Sequence, residues 1–241
     1  MWQDEIKNQG FAIIPEILRE HEVISALAEL DKCSLPRSKA GIRHMLSDKT
    51  VAALAQDPRL MAIAREVLGD GAIPFHATLF DKSPEANWLV VWHQDTALPL
   101  QEKNESVGWG PWSVKQGVTY AHAPASALEK VLALRIHLDD STLENGPLRI
   151  LPGTHEMGVL SDDSIEQATT QIIATECVVP RGGILAMRPL VVHACRNHKS
   201  RNLGGSCTSN MQRHWRLPKE CNWRRPEDTH SSQGDVGITC R

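Results

Sequence analysis

The chain has 241 residues, with 26 Lys+Arg against 29 Asp+Glu and a formal net charge of −3, and 41% of it is hydrophobic. That length suits one domain with a core large enough to fold without staples. No stretch approaches 18 uninterrupted apolar residues, so a membrane-spanning helix is excluded.

The first ten residues, MWQDEIKNQG, lack the apolar segment of a signal peptide, and the cytoplasm is the expected location. The six cysteines, at positions 33, 177, 195, 207, 221 and 240, include no CxxC pair. In a reducing compartment they are not expected to form a disulfide framework. Charge is unevenly spread: residues 1–194 hold 17 Lys+Arg against 25 Asp+Glu, a net of −8, and residues 195–241 hold 9 against 4, a net of +5.

In chain order, residues 11–30 open with a short apolar strand and then shift to helical spacing. Ile17, Leu18, Val23, Ile24, Ala26, Leu27 and Leu30 form one apolar face. Residues 48–69 read as two short helices broken at Pro58 and ending at Gly69, and these helices are expected to buttress a sheet. From there the pattern turns to strands, at 73–80 and 88–95. Residues 96–126 form a long stretch punctuated by Gly and Pro, expected to be a lid or binding loop. Further strands are expected at 131–140, 147–153, 175–180 and 184–194, joined by the turns ENG (144–146) and RGG (181–183). Many short strands behind a helical segment predict an antiparallel barrel or jelly roll with helical support.

His93-Gln94-Asp95 closes one of these strands. Residues i and i+2 of a strand point to one side, so the imidazole and the carboxylate can reach one ion. One later histidine would complete a facial triad of two His and one carboxylate, which leaves three positions of octahedral Fe(II) open. His193 is the best third ligand, because it ends the apolar run LVVH after a Gly-Gly turn. His76, His122, His137 and His155 compete for the role. HxD spacing alone is a weak signal, and a cupin-like metal-dependent hydrolase or isomerase stays open on the same ligands. His137 alternates with Arg135 and Asp139, so those three share a face that could line the barrel.

Five segments carry a resemblance: WHQDTALPL (92–100), GWGPWSVKQGV (108–118), LEKVLALRIHLDD (128–140), ENGPLRILPGTHEMG (144–158) and VVPRGGILAMRPLVVHA (178–194). In this order they resemble the phytanoyl-CoA dioxygenase (PhyH-like) family of Fe(II)- and 2-oxoglutarate-dependent oxygenases. The resemblance spans roughly residues 8–194. It implies a mostly β fold, a double-stranded β-helix (jelly roll, cupin-like) with N-terminal supporting helices. It also implies Fe(II) held by His93, Asp95 and His193, with 2-oxoglutarate and O₂ as co-substrates in the hydroxylation of a small organic molecule. Trp92, Trp109, Trp112 and Tyr120 are candidates for a lid or substrate wall, with core packing as the open alternative. Asn145 is expected to shape its turn.

After His193 the chain departs from the family. The family has there a strand resembling RRVLHIEYA, whose arginine grips 2-oxoglutarate. Here the segment is rich in Ser, Asn, Gly and Arg, with hardly any β-branched residues, and no strand is expected. Back-translation of residues 200–224, read from the third base of the Ser200 codon, can yield PKPRRVLHIEYAASLEITEGVQLA without a stop. A frameshift near Cys195 or Arg196 accounts for the new string, the charge reversal and the four cysteines gathered after residue 194. The expected organisation is therefore a dioxygenase domain over 1–194 and an aberrant, basic, disordered tail over 195–241, with the last barrel strand missing. Arg196 and Arg201 are weak candidates for the lost arginine, and the chain as written is expected to bind metal weakly and turn over poorly.

Two other classes remain open. One is a β-helix binding protein without catalysis, consistent with the missing arginine. The other is a nucleic-acid arm formed by the basic tail. The net of −8 in the rest of the chain opposes a polyanion, so a small molecule is the expected partner, with no nucleic acid and no membrane.

Overall fold

The computed structural model describes residues 1–35, 42–82, 90–103, 106–144, 146–195 and 210–218, with the backbone path alone for 81–82 and 210–218. Helix α1 (Trp2–Gln9) ends at Gly10, whose φ of 85° is open to glycine at little cost. The chain turns there into β1 (Phe11–Ile14). Helix α2 (Glu20–Leu30) follows and buries Val23, Ala26 and Leu30 at helical spacing.

Helices α3 (Lys49–Ala55) and α4 (Pro58–Leu68) are each capped by an aspartate. Asp48 accepts from the Val51 N–H, and Asp57 from the Arg59 N–H. Pro58 is the break expected from the sequence. It starts α4, where its missing N–H costs nothing.

The strands β2 (His76–Lys82), β3 (Val90–His93), β4 (Ala97–Leu100), β5 (Trp112–Lys115) and β6 (Val118–His122) come next. The short helix α5 (Ala125–Leu128) leads into β7 (Val131–His137) and β8 (Leu148–Ile150). Helix α6 (Asp162–Gln171) precedes β9 (Thr175–Cys177), β10 (Ile184–Met187), β11 (His193–Cys195) and β12 (Asn210–Pro218).

Among the described residues three antiparallel sheets result, of order β1-β10-β7-β12-β2, β3-β11-β8-β9 and β4-β6-β5. Strand β7 shows how the first two are organised. Leu132, Leu134 and Ile136 join Ala12, Ile14, Ile184, Ala186 and the apolar faces of α2, α3 and α4 in the largest core cluster. On the opposite face of the strand, Ala133 packs with Leu148, Ile150, Cys177 and Cys195 of the four-stranded sheet. The five-stranded sheet is therefore buttressed by helices on one side and closed by the smaller sheet on the other. This is the jelly-roll architecture that the strand pattern predicts.

Three expectations are corrected. Residues 96–126 are not an open loop over their whole length. They fold back as β4, β5 and β6, with Leu98, Leu100, Ala121 and Ala123 in a core cluster of their own. Proline at position 99 and the Gly110-Pro111 pair hid these strands, although Pro99 lies in an outer strand where a missing N–H is tolerated.

The apolar run 184–194 is two strands in two sheets. The chain turns at Arg188–Val191, where the Val191 N–H donates to the Arg188 carbonyl, and a continuous hydrophobic run carries no mark of such a corner.

The third correction concerns the absence of a strand after His193. The backbone over Asn210–Pro218 is extended and lies between β7 and β2, with Arg213 opposite Ile136 and Leu79. Main-chain groups make these ladders. The two open edges of β7 and β2 accept a segment whose composition does not announce a strand.

Candidate metal centre

Strands β3 and β11 are antiparallel neighbours, with His193 directly opposite His93 in the ladder. The two imidazole rings lie 4.2 Å apart between centroids. Asp95 follows β3 and is held by its N–H donating to the Pro189 carbonyl at 2.9 Å, while its Oδ2 comes within 3.9 Å of His193 Nε2. One ligand atom from each of His93, Asp95 and His193 falls within 4.8 Å of the others. The predicted triad is thus brought together, from positions separated by most of the barrel sequence.

Whether these residues suit a metal turns on which nitrogens are free. His93 Nδ1 lies 2.8 Å from the Val91 carbonyl, and His193 Nδ1 lies 3.0 Å from the Val191 carbonyl. Each carbonyl selects the tautomer with the proton on Nδ1, leaving the Nε2 lone pair for an ion. Burial, and then His93 nearby, pushes the His193 pKa down to about 4, so its ring is neutral at ordinary pH. Two imidazoles and a carboxylate within 4.8 Å of one another form the facial set of non-haem Fe(II) sites, and the donors fit that ion.

Gln94 is the residue that sequence reasoning passed over. It points away from the two ligands that flank it and is buried, at 8% exposure. Its Nε2 donates to the Gly158 and Leu190 carbonyls at 2.8 and 2.7 Å, and its Oε1 accepts from the Leu160 N–H at 2.8 Å. The amide therefore pins the HxD segment to the two chain turns behind it. The alternation of a strand was the available signal: position 94 had to face inward between two outward ligands.

The competing histidines are accounted for elsewhere. His122 Nδ1 pairs with the Thr96 hydroxyl at 2.7 Å. His155 Nε2 lies 3.0 Å from the Lys7 carbonyl, beside a cavity of about 260 Å³ that Lys7, Glu129 and Arg188 also line. His76 stacks edge-on against Tyr120, at 6.0 Å between ring centroids. His137 is buried on β7 beside Arg135. Asn145, Arg196 and Arg201 lie outside the described residues.

The four aromatic candidates fall into separate places. Trp92 packs against the cluster of Leu151, Ile165, Ala168 and Val192, with the Arg149 guanidinium 4.7 Å above its ring. Trp109 and Trp112 pack against Phe75, Leu98 and Leu100. Tyr120 is buried between His44 and His76, with Lys115 Nζ 5.0 Å from its ring centre.

A two-sheet jelly roll with this triad in it is the framework of the non-haem iron oxygenases. The chain matches the phytanoyl-CoA dioxygenase (PhyH) family over residues 6–203, and it belongs to that family. It is 27% identical over 115 residues to L-proline trans-4-hydroxylase of Streptomyces griseoviridis, covering 48% of this chain and 35% of that protein. It is 24% identical over 168 residues to ectoine dioxygenase of Bordetella bronchiseptica, covering 62% of this chain and 47% of that one. The chain thus spans less than half the length of these curated relatives.

Among solved structures, the non-heme alpha ketoglutarate dependent epimerase SnoN from nogalamycin biosynthesis superposes with a TM-score of 0.65 at 17% identity, over 98% of this chain and 92% of that one. EctD from S. alaskensis, solved with 2-oxoglutarate and 5-hydroxyectoine, superposes with a TM-score of 0.66 at 16% identity, over 90% and 75%. Likeness at this level of identity establishes the shared fold. No helix among the described residues is long and apolar enough to cross a membrane.

Proposed function

We propose that the chain is an Fe(II)- and 2-oxoglutarate-dependent dioxygenase that hydroxylates a small organic molecule in the cytoplasm. The observation that carries this is the pairing of His93 and His193 across the β3–β11 ladder, each with Nδ1 held by the carbonyl two residues before it and Nε2 left for an ion beside the Asp95 carboxylate. When bound, the iron supplies chelation of the 2-oxo acid and activation of O₂. The protein orients the ligands through Gln94 and the two backbone carbonyls, and the buried Ile150 lies opposite His193 in the ladder.

The names of the two curated relatives, a proline hydroxylase and an ectoine dioxygenase, support a small-molecule substrate. In the same reading Trp92, Trp109, Trp112 and Tyr120 border the substrate. Tyr120 is the best placed of them, because His44, His76 and Lys115 gather polar groups around it.

The residues after Cys195 belong to this reading as well. A frame change there would have exchanged a family strand for the present one, in the slot between β7 and β2 that β12 occupies. Sequencing the gene from independent isolates tests that origin, and an intact frame encoding the present residues would refute it. The activity is tested by anaerobic titration of the apoprotein with Fe(II) and then 2-oxoglutarate. The expected result is one equivalent of iron and the weak visible charge-transfer band of a bidentate chelate, followed by succinate on admission of O₂. An iron-loaded protein that gives neither band nor succinate would sink the proposal.

A further inference from the structure

The cavity of about 260 Å³ beside His155 opens against the turn Arg188–Val191, between α1, α5 and the 154–157 segment. None of His93, Asp95 and His193 lines it. Its floor is apolar and buried, formed by Ile6 of α1, Leu128 of α5 and Leu190 of the turn. A space of this size holds a small metabolite, and such a floor suits the hydrocarbon part of one.

The rim carries two cations, Lys7 and Arg188, and two carboxylates, Glu129 and Glu156. Among the described residues no ion pair joins either cation to either carboxylate. Arg188 is the most confined of the four. It is half-buried, burial lowers its pKa, and the Glu129 carboxylate acts on it only through space. Its side chain makes one hydrogen bond among the described residues, from Nη1 to the Glu129 carbonyl at 3.1 Å. Most donors of the guanidinium are therefore left for another acceptor.

These charges select among ligands. An anion alone meets Arg188 and Lys7 but is opposed by the two glutamates, and an amine alone meets the reverse. A molecule that carries both charges satisfies both pairs. We propose that this cavity is a second ligand site, separate from the triad, that takes a small zwitterion of the α-amino acid kind with an aliphatic side chain. Arg188 and Lys7 receive the carboxylate, Glu129 and Glu156 the ammonium, and the side chain rests on the floor of Ile6, Leu128 and Leu190.

The site is joined to the metal centre by hydrogen bonds. The Leu190 carbonyl accepts from Gln94 Nε2 at 2.7 Å, the Pro189 carbonyl accepts from the Asp95 N–H at 2.9 Å, and the Val191 carbonyl lies 3.0 Å from His193 Nδ1. On its other side the turn is tied to the end of α1, where the Gly10 carbonyl accepts from the Arg188 N–H at 2.7 Å. A ligand seated on Leu190 and Arg188 bears on the turn that supports the triad, so its binding and that of a metal ion are linked.

The test is calorimetry on the full chain with L-leucine and two truncated forms of it. These are 4-methylpentanoate, which lacks the amine, and 3-methylbutylamine, which lacks the carboxylate. L-leucine is expected to bind with a Kd of about 1 mM or tighter, as for a ligand of its size. Each truncated form is expected to bind at least about 10-fold more weakly, as on loss of a charged hydrogen bond. Arg188→Gln is expected to weaken L-leucine by about 10-fold, and the pair Glu129→Gln with Glu156→Gln to do the same. Titration of the metal-free and the anaerobic Fe(II)-loaded chain is expected to give L-leucine constants that differ by about fivefold.

Circular dichroism shows whether each variant is folded, and if Arg188→Gln is not, the two exposed glutamates decide. Absence of L-leucine binding overturns the site, as does equal binding of its truncated forms or full binding in the rim variants. His193→Ala is expected to keep L-leucine binding, and its loss there would place the ligand at the triad and overturn the assignment. Equal constants with and without iron overturn the link to the metal centre.

Discussion

Gln94 stands between the two β3 ligands and holds three hydrogen bonds that no apolar residue of the same size could make. Gln94→Leu leaves two carbonyls and one N–H buried without partners, at a cost of about 2–4 kcal/mol in stability. It also frees the HxD segment to rotate, and Fe(II) affinity is expected to fall by about 10- to 100-fold, as for other groups that orient metal ligands. Thermal unfolding and iron titration on one preparation measure both effects. Substitution of a ligand itself, Asp95→Ala or His193→Ala, is expected to abolish stoichiometric iron binding while the apoprotein stays folded. Loss of folding in Asp95→Ala would show that the carboxylate serves the structure instead.

The spacing of His93 and Asp95 was legible in the sequence because a strand repeats every two residues. His193 was legible as the end of an apolar run, though its position opposite His93 was not, since register is a property of two strands. Gln94 was passed over because its three partners, at Gly158, Leu160 and Leu190, lie far along the chain, although strand alternation already turned it away from the ligands.

At the scale of elements, the RGG turn shows how a loop can anchor several segments. Gly182 has a φ of 79°, its carbonyl accepts the N–H groups of Ile17 and Leu18, and its N–H donates to the His137 carbonyl. A Cβ at this position would collide with the Leu18 carbonyl oxygen. Gly182→Ala is therefore expected to cost about 1–3 kcal/mol through backbone strain and a displaced N-terminal segment, read as a lower urea midpoint. A variant as stable as the wild type would contradict the geometry.

Arg59 joins the helices in a comparable way. Its guanidinium holds the α4 cap Asp57 at 2.7 Å, Glu22 of α2 at 2.8 Å and the Ile17 carbonyl at 2.7 Å. The group is partly open to water, so Arg59→Met is expected to cost only about 1 kcal/mol. The helices were readable from their periods and caps. The β4-β6-β5 sheet was not, because its strands of four and five residues are too short to show alternation and Pro99 falls inside β4.

Across the whole molecule, the buried and polar groups define how the fold answers acid. His193 titrates at about 4 in the folded protein and His137 well below its ordinary range, against about 6.5 for an exposed histidine. The unfolded chain therefore binds these protons first. The apoprotein is expected to lose stability as pH falls from about 6.5 towards 4, by up to about 3 kcal/mol for His193 alone. Glu22 works in a lower window. The side-chain hydrogen bond from Arg59 holds its carboxyl at about 2, so that contribution is present above about 4.5 and is lost as pH falls further. Urea midpoints of the apoprotein from pH 8 to 3 should show both declines, and Arg59→Met should lack the second. A flat profile between pH 6.5 and 4 would mean that His193 is solvated.

By itself, the sequence determined the class of fold, the helical support, the family and the three ligand types, because each is written in local period, capping residues or short motifs. The tertiary structure alone decided that the 96–126 stretch makes a third sheet and that the apolar run 184–194 serves two sheets. It also decided that Asn210–Pro218 pairs between β7 and β2 despite its composition. The physical reason is common to all three. Strand pairing draws on main-chain groups that every residue possesses, so which segments meet depends on what edges and cavities the rest of the chain leaves open. The same holds for Arg135, whose charge is plain in the sequence and whose burial exists only in the folded interior.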